Sequence, residues 1–231
     1  MRHIWFSSKY TATITITATT VLKYLAVDLA GNKSPIYLQN YTIDKVVPTA
    51  SATPSGGYYN TSKSVSLNMS EPGKIYYTLN NTSPTTSSLI YNNKPYTFST
   101  TTILKYFAVD LAGNKSPIYT QTYTIDKVAP KVSLTSPTNL KTGVSKTASI
   151  VLKFTENIKN SAYYNNITIK NSSTGKYLTL TKSISGNTLN IKTSTKSANT
   201  WYIVTIPRAA IKDYAGNNLQ ATYTFKFKTG A

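Results

Sequence analysis

The 231 residues contain seven carboxylates: Asp28, Asp44, Glu71, Asp110, Asp126, Glu156 and Asp213. They set the limits on any acid–base chemistry. Glycoside hydrolysis needs two carboxyl groups roughly 5–10 Å apart, one to protonate the leaving group and one to attack or to activate water. Asp28, Asp110 and Asp213 each open a turn of the form Asp-x-Ala-Gly-Asn, and Asp44 and Asp126 sit in a repeated Thr-Ile-Asp-Lys. Only Glu71 and Glu156 lie outside repeated motifs, in different domains, so no catalytic residue is assigned. Calcium takes about six to eight oxygens, several of them carboxylate. Each Thr-Ile-Asp-Lys offers one Asp beside a Lys, which reads as a solvated ion pair. The one histidine, His3, falls in a terminal segment expected to be disordered, and cysteine is absent. No histidine triad, zinc site or disulfide follows from these. Ten glycines are scattered through turns and form no phosphate-cradling loop. The expected set of catalytic, cofactor and metal residues is therefore empty.

The positive charge is more informative. The net charge is +18, with +3 on residues 1–48, +3 on 49–130 and +12 on 131–231. An anionic partner is expected to prefer the last hundred residues. Arginine occurs only at positions 2 and 208. Bidentate phosphate and guanine contacts favour arginine, so specific nucleic-acid recognition is not expected, only salt-sensitive attraction to polyanions. The nineteen tyrosines allow a sugar-stacking platform, but the plainer reading is strand core and strand face. Asn-x-Ser/Thr triplets, as at Asn60 and Asn171, are plausible acceptors if the chain is exported by a glycosylating organism.

The elements that position these residues are read from a duplication. Val27–Tyr37 recurs letter for letter as Val109–Tyr119, and 23 of 28 residues agree between Val21–Pro48 and Ile103–Pro130 at an offset of 82. Each Asp-x-Ala-Gly-Asn lies between two β-branched, aromatic runs, so it reads as a turn between strands. In it the Asp accepts from backbone N–H groups two residues on, Gly supplies positive φ, and Asn tolerates the left-handed region. Thr and Tyr favour strands, Asn and Ser favour turns, and no apolar period of 3.6 persists for a dozen residues. The fold class is therefore all-β. Strands are expected at 19–27, 36–43, 49–53, 64–69, 75–79, 96–100, 103–109 and 117–125. Within 103–109 Leu104, Tyr106 and Ala108 take the core, while Phe107 and Val109 share the face of Lys105 and need a second cover. Three segments result: 1–48, 49–130 and 131–231. The first has counterparts only for the second half of the unit, so its apolar face is expected to be poorly covered, as a remnant of a longer array. No run of about 18 apolar residues exists to span a membrane, and the start at Met1–Ser8 has too few apolar residues for a secretory leader.

The runs Thr53–Leu67, Ile75–Thr85 and Thr101–Ser116 make residues 49–130 resemble the C-terminal domain of chitobiase and β-hexosaminidase, with 13–48 resembling its tail. That family implies an Ig-like β-sandwich. Its usual Asp-Gly is Asn80-Asn81 here, and Asn also accepts positive φ. Residues 131–231 resemble the SbsA-type bacterial Ig-like domain through Ala129–Thr138, Ile150–Ile158, Tyr202–Ile206, Ile211–Asn217 and Thr224–Gly230. Bottom-up, about seven short strands with turn signals every 8–12 residues give the same sandwich. The architecture expected is tandem Ig-like, fibronectin-III-like sandwiches in series. The pairing also resembles methanogen surface proteins. It implies an extracellular, adhesin-like or S-layer-associated spacer, with weak binding to wall or host polysaccharide and neighbouring repeats of the same array as partners. The alternative is an accessory module detached from a glycoside hydrolase or cell-wall enzyme.

Overall fold

A computed structural model describes residues 9–231 in full and residues 2–4 by their backbone. The leader-like residues 1 and 5–8, and the His3 side chain, lie outside the described residues. The backbone of residues 2–4 corrects the expectation of disorder there: Arg2–Ile4 forms a strand, β1, parallel to the start of β2 (Thr20–Tyr24). β2 pairs antiparallel with β3 (Tyr37–Tyr41). Both expected strands are present but shorter than read.

The next segment supplies β4 (Ala50–Thr53), β5 (Gly57–Tyr59), β6 (Lys63–Met69), β7 (Gly73–Thr78), β8 (Leu89–Ile90), β9 (Tyr96–Phe98), β10 (Thr102–Asp110) and β11 (Tyr119–Ile125). They order as two sheets, β4-β6-β9 and β5-β11-β10-β7-β8. β5 and β8 were not expected: β5 begins on the glycine that ends a Pro-Ser-Gly-Gly turn signal, and β8 is only two residues long.

Residues 131–231 form β12 (Val132–Ser136), β13 (Ile150–Phe154), β14 (Lys159–Asn160), a 3₁₀ turn (Tyr164–Asn166), β15 (Thr168–Asn171), β16 (Leu180–Ser185), β17 (Thr188–Thr193), β18 (Trp201–Ile206), β19 (Ile211–Lys212) and β20 (Tyr223–Lys228). The sheets run β12-β13-β17-β16 and β15-β18-β20, with β14-β19 as a short ribbon. The chain is all-β, built of Ig-like sandwiches in series, as the alternation of apolar and polar residues requires.

By compactness the chain divides into two units: 1–53 with 66–95 and 103–121, and 54–65 with 96–102 and 122–231. In the first, β10 pairs antiparallel with β7, and β4 pairs with the second half of β6. Leu104, Tyr106 and Ala108 are buried, as read. Phe107 is buried on the other face, where it stacks on Tyr76 at 5.4 Å. Lys105 runs out beside it to donate to the Asn81 carbonyl. Asn81 has φ 66°, the left-handed turn expected of Asn. In the second unit one core joins both sheets of the last domain through Leu152, Phe154, Leu189, Val204, Phe225 and Phe227. Phe225 and Phe227 face in while Lys226 stays exposed. Each such large side chain contributes roughly 1.5–3 kcal/mol by burial.

Candidate cation sites at the seams

The Asp-x-Ala-Gly-Asn turn folds the same way three times. Asp28 Oδ1 accepts from Asn32 N and Oδ2 from Asn32 Nδ2, both at 2.8 Å. Asp110 holds Asn114 by the same two bonds at 2.8 Å, and Asp213 holds Asn217 at 2.8 and 2.7 Å. The glycine before each Asn has φ between 91° and 100°. Beside the N–H two residues on, the carboxylate thus also reaches the N–H four residues on. The Asn acts through its amide and not by entering the left-handed region, which only the glycine occupies.

The amide has a further job in two of the copies. Asn114 Nδ2 also donates to the Asp44 carbonyl at 3.2 Å, and Asn217 Nδ2 to the Asp126 carbonyl at 2.9 Å. Each turn therefore grips the Thr-Ile-Asp-Lys that leads into its own domain. The consequence corrects the reading of those seams as lone Asp–Lys pairs. Asp44, Glu71 and Asp110 offer oxygens within 4.8 Å of one another, and so do Asp126, Glu156 and Asp213. Six of the seven acids are thus collected into two trios. At the second of them the neighbouring Lys127 Nζ donates to Ser62 Oγ.

Electrostatics marks both trios as uncompensated among the described residues. Desolvation raises the pKa of Glu71, and the like charges of Asp44 and Asp110 add to it. Desolvation likewise raises Glu156, aided by Asp126 and Asp213. Asp110 is pushed up by burial, but the Asn114 side chain and the N–H groups of Asn114, Gly113 and Ala112 outweigh this and hold it below its ordinary value. The first trio therefore keeps one carboxylate, Asp110, held in its ionised form beside a glutamate that resists ionisation. Oxygens bound to one calcium ion at about 2.4 Å are at most about 4.8 Å apart, so three such carboxylates fit a hard divalent cation, with water and carbonyls completing its shell.

Carboxylates this close also meet the distance asked of a glycosidase pair, which sequence alone had excluded. Neither described cavity is lined by a member of a trio, however. The cavity in the last domain, about 400 Å³, is lined by Lys159, Asn160, Tyr164, Lys182, Ser183 and Tyr214 among others. Lys159 Nζ lies 5.4 Å over the Tyr214 ring and Lys182 Nζ 5.0 Å over Tyr164. The Tyr164 hydroxyl is buried with no hydrogen-bond partner among the described residues. The groove thus sets two lysine ammonium groups beside two tyrosine faces.

Residues 126–229 match the family model described as bacterial Ig-like domain, and residues 54–120 match the chitobiase/beta-hexosaminidase C-terminal domain. Along the chain the chitobiase/beta-hexosaminidase C-terminal match comes first and the bacterial Ig-like match second, and both fit a non-catalytic structural module. No curated protein matches the chain. Among solved structures it is similar to Rst D1-D2 at 10% identity, over 78% of this chain and 98% of that one, with a TM-score of 0.42. It is also similar to a chimeric titin Z1Z2 functionalized with a KLER peptide from decorin, at 8% identity, over 80% and 97%, TM-score 0.30. The titin domains Z1Z2 in complex with telethonin match at 9% identity, over 81% and 97%, TM-score 0.26.

Proposed function

We propose that this chain is a spacer segment of a cell-surface, adhesin-like or S-layer-associated repeat protein, and that divalent cations such as calcium set its two seams. The observation that carries the cation reading is the recurrence of one arrangement at both seams. An exit-strand Asp, a glutamate and a turn Asp converge, and a turn Asn holds the exit-strand carbonyl. The two trios are built in domains of different sequence, and each leaves three like charges together in a chain of net charge +18. Among 25 Lys and Arg residues, chance placement would more readily have put a lysine there. A bound cation would convert this repulsion into a cross-link between one segment's exit and the next domain, stiffening the joint.

The test is a calcium titration followed by calorimetry and thermal unfolding. The expected result is two ions per chain and a rise in melting temperature. Glu71→Gln and Glu156→Gln should each remove one ion. Without cation the same changes should raise stability slightly, because each removes a repulsive charge. Indifference to millimolar calcium, with both variants unchanged, would overturn the reading.

The weaker, adhesive part of the function belongs to the basic groove. Lys159 and Lys182 present ammonium groups beside tyrosine faces, which suits a uronate-bearing or otherwise acidic polysaccharide. The rival, an accessory module of a wall enzyme, would need that groove to bind neutral sugar equally well.

A further inference from the structure

The three Asp-x-Ala-Gly-Asn turns differ at their second residue, which is Leu29, Leu111 and Tyr214 in turn. Leu111 is 85% exposed and Leu29 is fully so. The tip of the turn therefore faces solvent, and its side chain is free to serve a surface. Tyr214 is 52% exposed, and its ring does not stand alone. The Tyr58 ring lies 6.0 Å from it with 50° between their planes, and Lys159 Nζ lies 5.4 Å over it. The adjoining Asp213 is buried and spends its carboxylate on Gly216 N, Asn217 N and Asn217 Nδ2. The tip of this turn thus presents an aromatic ring and not a negative charge.

Tyr58 comes from β5, in the preceding segment, and is 60% exposed. Two bonds through Asp126 fix where it sits. The Asp126 N–H donates to the Tyr59 carbonyl at 2.9 Å, and the Asp126 carbonyl accepts from Asn217 Nδ2 at 2.9 Å. Asn60 lies against the same turn, since a Cβ on Gly216 would meet its Nδ2 at 3.7 Å. All of these residues fall in the second compact unit. The backbones under both rings are therefore ordered before any ligand arrives, which lowers the entropic cost of binding on them. The strip continues into the groove. Lys159 donates one N–H to the Tyr214 carbonyl, and Lys182 donates one to the Tyr164 carbonyl. An ammonium group has three donors, so each lysine has further N–H groups to offer a ligand.

We infer that the polysaccharide site begins outside the last domain. Tyr58, Tyr214 and the groove of Lys159 and Lys182 form one strip for consecutive rings of a uronate polymer. The tyrosines stack on sugar faces, and the ammonium groups pair with the carboxylates. This rests on the reading of the groove as a site for acidic polysaccharide, and adds to it a subsite supplied by the preceding segment. The seam that joins the two segments then also assembles the binding strip, and the last domain alone carries an incomplete site.

The experiment titrates a size-defined oligogalacturonate into the full chain by calorimetry, at low salt and with chelator present so that no divalent cation takes part. Lys159→Gln with Lys182→Gln should weaken binding at least about tenfold, as expected for lost bonds from charged donors. Tyr58→Ala should weaken it about threefold to tenfold, the size of one aromatic contact. Tyr214→Leu, which installs the residue of the other two turns, should weaken it by a similar factor, and Tyr58→Phe should not weaken it. Because Tyr58 is mostly exposed, its truncation should leave the melting temperature unchanged. Undiminished affinity in Tyr58→Ala, with the lysine pair still required, would overturn the inference and leave the groove reading standing. Undiminished affinity in the lysine variant, or no binding at all, would overturn both. Equally tight binding of a poly-glutamate peptide, with the same dependence on Tyr58, would overturn the polysaccharide assignment and make the occupant an acidic protein segment. The substitutions touch none of the six clustered carboxylates, so the cation reading stands or falls separately.

Discussion

The two seams reach the same trio by different routes. In the first, Glu71 lies in a Ser-Glu-Pro-Gly turn just before β7. In the second, Glu156 follows β13, the strand that pairs with β12 and β17. The spacing from exit Asp to Glu to turn Asp differs, and the two segments match different family models. What the seams share is the Asp-x-Ala-Gly-Asn turn and the Asn bond to the exit carbonyl. The turn fixes where the carboxylates meet, and the glutamate is supplied by whichever loop passes nearby. The second seam is the more tightly built. Asp213 is 1% exposed against 7% for Asp110, and it accepts an additional bond from Gly216 N at 2.6 Å. Its Asn–carbonyl bond is shorter, 2.9 against 3.2 Å.

The largest expected effect tests that ranking. Asp213→Ala leaves three donors without their acceptor in a half-buried turn, and each such loss costs about 1–3 kcal/mol. Chemical denaturation should show the last domain destabilised by at least about 3 kcal/mol. Asp110→Ala should lower the midpoint by less, and Asp28→Ala, in an exposed turn that holds no exit carbonyl among the described residues, by least. Equal losses in all three would mean that the turn acts locally and that the seam adds nothing.

A second, intermediate effect separates the seams by cation. Glu156→Gln should shift the calcium-dependent melting of the last domain and leave that of the first unit unchanged, whereas Glu71→Gln should do the converse. Crossed effects would sink the picture of two independent sites.

Proton linkage gives a smaller, two-signed effect. Glu71 and Glu156 are raised above their ordinary 4.5. The folded state therefore binds their protons more tightly, and in cation-free buffer stability should fall as pH rises from 4.5 through their folded values. Asp28 and Asp110 are held below 3.8, Asp28 chiefly by the Asn32 side chain. Their contribution is complete above 3.8 and is lost as pH falls below it. Thermal melts across pH should peak near 4, and calcium should flatten the loss on the alkaline side. A monotonic rise through pH 4–6 without cation would contradict the raised glutamates.

The smallest effect concerns the groove. Retention of residues 131–231 on an acidic polysaccharide column should fall with salt, since exposed charges are screened beyond about 8 Å at physiological ionic strength. Lys159→Gln with Lys182→Gln should reduce retention more than the same change at Lys192 with Lys226. Equal reductions would reduce the groove to general charge.

The sequence made the strands legible wherever one face is wet: Val65 and Leu67 in β6, and Phe225 and Phe227 in β20, alternate with polar neighbours. The turn was legible as a turn because glycine at positive φ is required there. The trios were not legible. Their members lie far apart in the chain and converge only when a strand leaving one segment is gripped by the turn of the next. Asp28 and Asp44 belong to one copy of the motif, yet Asp44 pairs off with Asp110 of the following copy. A clue was present: the two glutamates outside repeats equal the number of complete Asp-x-Ala-Gly-Asn domains. The groove around Tyr164 and Lys182 was invisible for a simpler reason, that a 3₁₀ turn and two strand ends form it with no periodic signature.

The Asn bond to the preceding exit carbonyl carries an asymmetry of grammar. Residues 1–48 and 49–130 each donate an Asp forward, and the turns of 49–130 and 131–231 each hold the Asp carbonyl of the segment before. A unit of the 49–130 kind arrives with both halves of the rule, so it completes the joint behind it and offers half of the joint ahead. Lengthening by duplication then needs no compensating mutation. The metal content of any member of the series would count its joints, one fewer than its segments.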